Sequence, residues 1–261
     1  MATAVFFHAH PDDECILTGG TMAMLAAAGH RVVLLTATSG ERGEVGDGVL
    51  AEGTTLGAHR ATELTAAAAV LGVSRAELLG YVDSGMLGSP DNADPASFCQ
   101  ADVDEAAARV AQILRDEDAA LLVTYDAHGG YGHPDHVQVH RVGVRAAELA
   151  GTPVVYEATI DRDRVSRLVA AAAEDAAGER LEPPDGEFGS PAELITTRID
   201  VSAHVERKRH ALSCHASQVA DSFFLTMPEA RFALAFGTED YIRRGERPQV
   251  HEVDLDLSGR P

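Results

Sequence analysis

The chain reads as an α/β protein built on a mostly parallel sheet, and three observations predict it. Short apolar runs without polar alternation mark strands buried on both faces. Apolar residues at helical spacing follow most of these runs, the pattern of right-handed crossovers between parallel strands. A chain of 261 residues with 45% hydrophobic and 24% charged residues can also bury a sizeable core.

Residues 3–8, around Ala4-Val5-Phe6-Phe7, form the first strand. Thr18 to Gly29 carries Met22, Leu25 and Ala26 at helical spacing, with Gly29 as a helix stop. Arg31 to Thr38 is a second buried strand, and the glycine-rich stretch Ser39–Gly48 follows it. Ala58 to Leu71 is helical and ends at Gly72; a short strand over Glu77–Val82 leads into Asp83-Ser84-Gly85-Met86. After a polar loop (Ser89–Ala96), residues 101–116 place Val103, Ala107, Val110 and Leu114 on one helix face. A strand at 119–125, a helix over 134–150 and a strand at Thr152–Thr159 continue the alternation. The turn-rich, acidic residues 175–193 are expected to be a surface excursion, with a lid as one role open to it, within a single domain spanning 1–261. Ser202 is expected to cap a helix from 203 to about 218.

The net charge is −20, from 41 acidic and 21 basic residues. That balance repels nucleic acid and anionic membranes, so neither is an expected partner. Lys208 is the only lysine, which points to a GC-rich coding bias combined with solubility, or else to a salt-adapted source. No apolar stretch reaches the roughly 20 residues of a membrane span. No basic leader precedes the first strand. Cys15, Cys99 and Cys214 are odd in number and lack CxxC spacing. Cytoplasm is the expected location.

Chemistry concentrates in two clusters. His8-Ala9-His10-Pro11-Asp12-Asp13-Glu14 follows the first strand, and His128-Gly129-Gly130-Tyr131-Gly132-His133-Pro134-Asp135-His136 follows the strand at 119–125. In an open parallel sheet, ligands bind beyond the carboxyl ends of the strands, and both clusters fall on that edge. Pro11 and Pro134 each suit a first helical turn, and a spacing of three then sets His10 with Asp13 and His133 with His136 on common faces. Mixed imidazole and carboxylate donors suit a borderline metal such as zinc, and a catalytic site needs only three. Asp12 and Asp13 are adjacent and diverge, so one can coordinate while the other activates a metal-bound water. Two histidines and a carboxylate also describe non-haem iron sites, but the surplus acid and base groups favour hydrolysis. Ser39–Gly48 lacks phosphate-loop spacing and carries Glu41, so it is either a flexible turn or a substrate-contacting loop. Arg60, Asp83 and Tyr131 are candidates for polar substrate groups. His140 is left out, because at i+4 from His136 it points away from the first turn.

These motifs together resemble the LmbE/PIG-L family of zinc-dependent N-deacetylases. The matching segments are Ala9-His10-Pro11-Asp12-Asp13-Glu14, Gly40-Glu41-Arg42-Gly43-Glu44, Arg60 with Glu63, Asp83-Ser84-Gly85-Met86, Gly129–His136, and His215-Ala216-Ser217-Gln218. The family includes the N-acetylglucosaminyl-inositol deacetylase and the S-conjugate amidase of mycothiol metabolism. The resemblance implies a Rossmann-like three-layer fold with a mostly parallel, LmbE-like sheet. It implies one Zn2+ per chain on His10, Asp13 and His136, with Fe2+ or another divalent metal as alternatives. Asp12 becomes the general base, and His133 the general acid or oxyanion stabiliser, with the Asp135 carboxylate orienting its ring. Tyr131 polarises the amide carbonyl, while Arg60, Asp83, Glu41 and His215 belong to the substrate side. The implied reaction removes acetyl from a small N-acetylglucosaminyl compound through a metal-activated water. An amidase for a larger acyl group is the alternative.

Overall fold

The computed structural model describes residues 1–46, 48–175, 188–220, 222–245 and 251–252. The strands are β1 (Thr3–His8), β2 (Arg31–Thr38), β3 (Arg75–Tyr81), β4 (Ala119–Tyr125), β5 (Val154–Thr159), β6 (Thr197–Asp200), β7 (Thr238–Arg243) and the two-residue β8 (His251–Glu252). Between β1 and β4 lie α1 (Asp13–Leu17), α2 (Gly19–Ala27), α3 (Leu56–Leu71) and α4 (Val103–Asp116). The single turn α5 (Gly129–Gly132) and the long α6 (Pro134–Ala150) precede β5, and α7 (Arg162–Asp175) follows it. The last helices are α8 (Val205–Ser213), α9 (Ala216–Val219), α10 (Phe223–Thr226) and α11 (Glu229–Phe236).

The strands form one sheet in the order β3-β2-β1-β4-β5-β7-β6-β8. β1 pairs in parallel with both β2 and β4, so the strand order reverses between β1 and β4. That reversal opens a crevice at the carboxyl ends of two neighbouring strands. Both histidine-rich segments leave their strands at this place.

Strand geometry explains why β1 reads as a continuous apolar run. Successive side chains point to opposite faces, and both faces are covered. Ala4 and Phe6 enter a core with Met22, Leu64, Leu71 and Leu212. Val5 and Phe7 enter the other core with Val110, Leu114, Val139 and Val142. Helix boundaries follow local chemistry. The Thr55 hydroxyl accepts the Ala58 N–H at the start of α3, and Gly72 closes that helix at φ 81°. Asp102 caps α4 through the Glu105 N–H at 2.9 Å.

Several expectations change. The first helix starts earlier, at Asp13, and breaks at Thr18 (φ −136°) before α2. Pro11 lies ahead of the Asp12 cap, so His10 stands in the strand-to-helix turn and not on a helix face. Ser202 opens a short 3-10 turn without a side-chain cap, and the expected single helix divides into α8 and α9 at Cys214-His215. The sheet is mostly parallel, as expected, with one interruption: β7 inserts between β5 and β6 and runs antiparallel to both, while β6 and β8 pair in parallel again. Most of the 175–193 excursion lies outside the described residues. Its described end returns beside Asp161, where the Arg162 N–H donates to the Ser190 carbonyl at 3.0 Å. Among the described residues, no helix is long and apolar enough to cross a membrane.

Candidate metal centre

The turn after β1 presents His10, Asp12 and Asp13, and the segment after β4 presents Tyr131, His133, Asp135 and His136. His133 ends the second turn as the N-cap of α6, its Nδ1 accepting the Asp135 N–H at 3.1 Å. Pro134 fills the first helical position, where its missing N–H costs nothing. Gly129, at φ 67°, is pressed against α6: a Cβ there would lie 2.6 Å from the His136 Cβ. That close approach leaves the Gly129 carbonyl 3.1 Å from His136 Nδ1.

Three side chains meet at one Asp13 oxygen. Oδ2 lies 3.4 Å from His10 Nδ1 and 3.3 Å from His136 Nε2. The remote nitrogen of each ring is already taken, His10 Nε2 donating to Asp135 Oδ2 at 3.2 Å and His136 Nδ1 to the Gly129 carbonyl. These bonds select the tautomers that turn a bare nitrogen lone pair from each ring toward Asp13. His136 Nε2 is buried and has no hydrogen-bond partner among the described residues. An orphaned imidazole nitrogen beside a carboxylate and a second oriented imidazole fits a divalent cation of the zinc type.

The same close contacts set the proton affinities of these groups, and on His10 a cation would take the place of the proton that Asp13 favours. Burial alone would lower His10 and raise Asp13, yet their mutual contacts win. His10 is held well above its ordinary value by Asp13, Asp135 and Asp83. Asp13 is held well below the usual carboxylate range by His136 and His10. Asp12 behaves oppositely: burial and the neighbouring Asp13 charge push it up to about 7, against the opposing pull of Arg60. Burial, then the His10 and His136 rings, lower His133 to about 4, so it is a neutral imidazole with its proton on Nε2. Tyr131 stays half exposed above the group, its ring 4.9 Å from that of His136. Burial and Asp13 raise its phenol above the ordinary value.

Several sequence expectations need correction. The Asp135 carboxylate does not orient the His133 ring; it is spent on His10 Nε2 and on the Ser84 N–H and hydroxyl, and only its backbone N–H meets His133. Arg60 is buried and braced, donating to the Gly40 carbonyl at 2.7 Å, to the Pro11 carbonyl, and to Asp12 Oδ2 at 3.2 Å. Gly40, at φ 62°, makes room for that guanidinium, since a Cβ there would sit 2.2 Å from Nη1. Asp83 accepts the Gly85 and Arg42 N–H groups while its Oδ1 stands 3.6 Å from His10 Nε2. Glu41 accepts the Asp83 N–H at 3.0 Å and the Ser39 hydroxyl at 2.7 Å, tying two loops of the rim together. His215 is sealed from solvent and bonds Glu14 at 2.7 Å, so it lies beneath the site and not on its substrate face.

Other residues carry weight that sequence reasoning did not assign. Ser84 supplies two donors to Asp135, and its signal was its place in Asp83-Ser84-Gly85-Met86. Asp126, immediately after β4, accepts the N–H groups of His128 and Gly130 and so shapes the glycine turn. His8 is buried against the Tyr125 and Thr18 hydroxyls, and burial lowers it to about 4. His140, left out from the sequence, points elsewhere, to the Tyr125 carbonyl at 2.9 Å.

Comparison with known proteins adds an independent line. The 1D-myo-inositol 2-acetamido-2-deoxy-α-D-glucopyranoside deacetylase of Thermobifida fusca is 44% identical, covering 95% of this chain and 96% of its own. The enzyme of the same name from Acidothermus cellulolyticus is 45% identical, covering 93% and 88%. Among solved structures, N,N'-diacetylchitobiose deacetylase from Pyrococcus horikoshii superposes with TM-score 0.56 at 19% identity, over 92% of this chain and 83% of that one. The 4-carboxy-2-hydroxymuconate hydratase from Pseudomonas putida superposes with TM-score 0.62 at 17% identity, over 97% and 100%. These structures share the fold, and one fold carrying a deacetylase and a hydratase leaves chemistry to the site. The model of the PIG-L family, GlcNAc-PI de-N-acetylase, matches residues 5–147, and with the close relatives above it shows that the chain belongs to that family.

Proposed function

We propose that the chain hydrolyses the acetamide of 1D-myo-inositol 2-acetamido-2-deoxy-α-D-glucopyranoside, releasing acetate and the free amino sugar. The observation that carries this reading is the division of labour between adjacent carboxylates, Asp13 between two oriented imidazoles and Asp12 outside them at a pKa of about 7. The substrate assignment rests on relatives of that name at 44–45% identity over nearly the whole chain.

His10 Nδ1, Asp13 and His136 Nε2 would hold one divalent cation, with zinc the best match to two nitrogens and an oxygen. A bound cation supplies a Lewis acid that acidifies water and polarises the acyl carbonyl. Asp12 Oδ accepts the proton of the attacking water, and a pKa near neutrality makes it a base that is both ionised and basic enough. Arg60 keeps Asp12 aimed by its bond to Oδ2. As the amide carbon becomes tetrahedral, charge gathers on its oxygen. His133 Nε2–H and the Tyr131 hydroxyl donate toward that oxygen, and neither proton is lost at neutral pH. The proton on Asp12 then passes to the departing amine. Asp135 and Ser84 hold the His10 ring still throughout.

The test uses purified metal-loaded protein with the glucosaminyl-inositol acetamide, free N-acetylglucosamine and a bulky N-acyl analogue, reading amine release. The inositol compound should show the highest kcat/KM, and a preference for the bulky acyl group would overturn the assignment. Asp12→Asn should keep its metal while kcat falls by about 10²–10⁴, the usual worth of a positioned base. Near-normal turnover in that variant would remove Asp12 from the mechanism.

A further inference from the structure

Glu14 is wholly buried, and the hydrolysis makes no direct use of it. Its carboxylate is nevertheless fully engaged. Oε2 accepts the backbone N–H of Asp12 at 2.9 Å, and Oε1 accepts the Cys15 thiol at 3.1 Å. Oε1 also lies 2.7 Å from His215 Nε2, a contact across 201 positions of sequence. His215 is equally sealed, and it stands at the break between α8 and α9. Its Nδ1 has no partner among the described residues, and Nε2 donates to the Glu14 carboxylate. Glu14, Cys15 and His215 lie close enough to hold a cation, but these protons occupy the lone pairs that a cation would need.

Asp12 is where this buried pair meets the site. It sits at φ 113°, ψ −33°, a region that non-glycine residues enter only when their surroundings hold them there. Its side chain does not cap α1, although its carbonyl accepts the Cys15 and Ile16 N–H groups and so ties the C-terminal side of the residue to the helix. On its N-terminal side the restraint is the Glu14 bond on its N–H, together with Arg60 on the preceding Pro11 carbonyl. A buried carboxylate can hold such a bond only if its own charge is matched, and His215 matches it.

We infer that Glu14 and His215 form a buried positioning pair that clamps the backbone of Asp12 in its strained conformation and thereby aims the carboxylate of Asp12. The inference rests on reading Asp12 as the base. The pair acts through Asp12 alone and has no contact with substrate.

The experiment compares His215→Leu, His215→Gln, Asp12→Asn and the double variant Asp12→Asn/His215→Leu as metal-loaded proteins, with kcat, KM and metal content measured on each. His215→Leu should lower kcat by about 10–100-fold, the scale of a misplacement near 1 Å, with KM within about twofold and full metal. His215→Gln, whose amide N–H still reaches Glu14, should recover most of that loss. Adding His215→Leu to the Asp12→Asn background should cost nothing further, because the base it serves is already gone. Should His215→Leu fail to fold, Glu14→Gln carries the same expectations of a kcat-only loss and of no further loss beside Asp12→Asn. A loss in KM or metal content, an equal loss in both backgrounds, or unchanged turnover would overturn the inference. If Asp12→Asn behaves as a lost base while His215→Leu is normal, only the positioning pair fails. If Asp12→Asn turns over normally, the base reading fails and takes the pair with it.

Discussion

Replacing Asp135 with Asn removes a charge from a side chain that solvent does not reach. Three donors converge on its two oxygens: the Ser84 N–H at 2.9 Å, the Ser84 hydroxyl, and His10 Nε2 at 3.2 Å. An amide offers one oxygen and one NH2, so one of those oxygen positions becomes a donor facing a donor. If the NH2 takes the Oδ2 position it faces both His10 Nε2 and the Ser84 N–H, and the ring loses its anchor; if it takes the Oδ1 position it faces the Ser84 hydroxyl, and the bond to His10 survives without its charge. A buried hydrogen bond to a charged group is worth about 1.5–3 kcal/mol, and an outer partner of a metal-binding histidine typically about 10–100-fold in affinity. Asp135→Asn should therefore weaken the metal by about 1.4–2.8 kcal/mol, a 10–100-fold rise in Kd. Competition against a chromophoric chelator measures this directly. At saturating metal, kcat should return to within a few fold of the parent. A variant that bound metal within twofold of the parent while kcat stayed low would show that Asp135 serves His133 after all.

Other consequences can be checked alongside. Arg60→Ala leaves two loop carbonyls and Asp12 without their shared donor, so stability should drop by about 2–4 kcal/mol in denaturant titration and kcat should fall more than KM rises; an unchanged midpoint with altered KM alone would return Arg60 to a substrate role. Lys208→Met leaves the buried Glu239 carboxyl with the Gly20 and Thr21 N–H groups and the Tyr241 hydroxyl as its partners among the described residues, at a cost of about 3–5 kcal/mol, and adding Glu239→Gln should restore much of it; an additive double variant would refute the coupling. Arg31 and Arg75 hold the Glu117 carboxyl down to about 2, so its contribution is complete above the ordinary carboxylate value near 4.5 and is lost as pH falls through 2. Thermal melting of Glu117→Gln should accordingly show a shallower acid slope between those pH values, and an unchanged slope would discount the ion pair.

The part of the molecule nearest the site was the most legible from sequence, for physical reasons. β1, β2 and β4 announce themselves because parallel strands covered on both faces must be apolar throughout, as Ala4 to Phe7 and Val32 to Leu35 are. That His10, Asp13 and His136 would gather at one edge of the sheet was legible because both segments leave strand ends there, where ligands go in such a sheet. β6 and β7 were not, since Thr197-Arg-Ile-Asp and Thr238-Glu-Asp-Tyr carry buried charges whose partners, such as Arg164 and Arg198 on Asp240, are known only once the chain has folded. The roles of Asp135 and His215 failed for a related reason. Spacing sets which residues are neighbours along a helix, but it cannot say that Asp135 turns away from His133 toward a ring 125 positions earlier.

Lys208 has a practical consequence of a different kind. The reaction proposed for this chain unmasks a primary amine, and the simplest detection of that product is an amine-reactive fluorophore. Most enzymes bring many surface amines of their own into such a measurement. This chain has a single lysine, 1% exposed and locked against Glu239 at 2.6 Å, so beyond its α-amino group it presents almost nothing for the dye to label while folded. Turnover can then be followed at high enzyme concentration with little background, which makes variants crippled by several orders of magnitude measurable. The same property turns the dye into a reporter of the fold: a rise in signal without substrate means that Lys208 has come out.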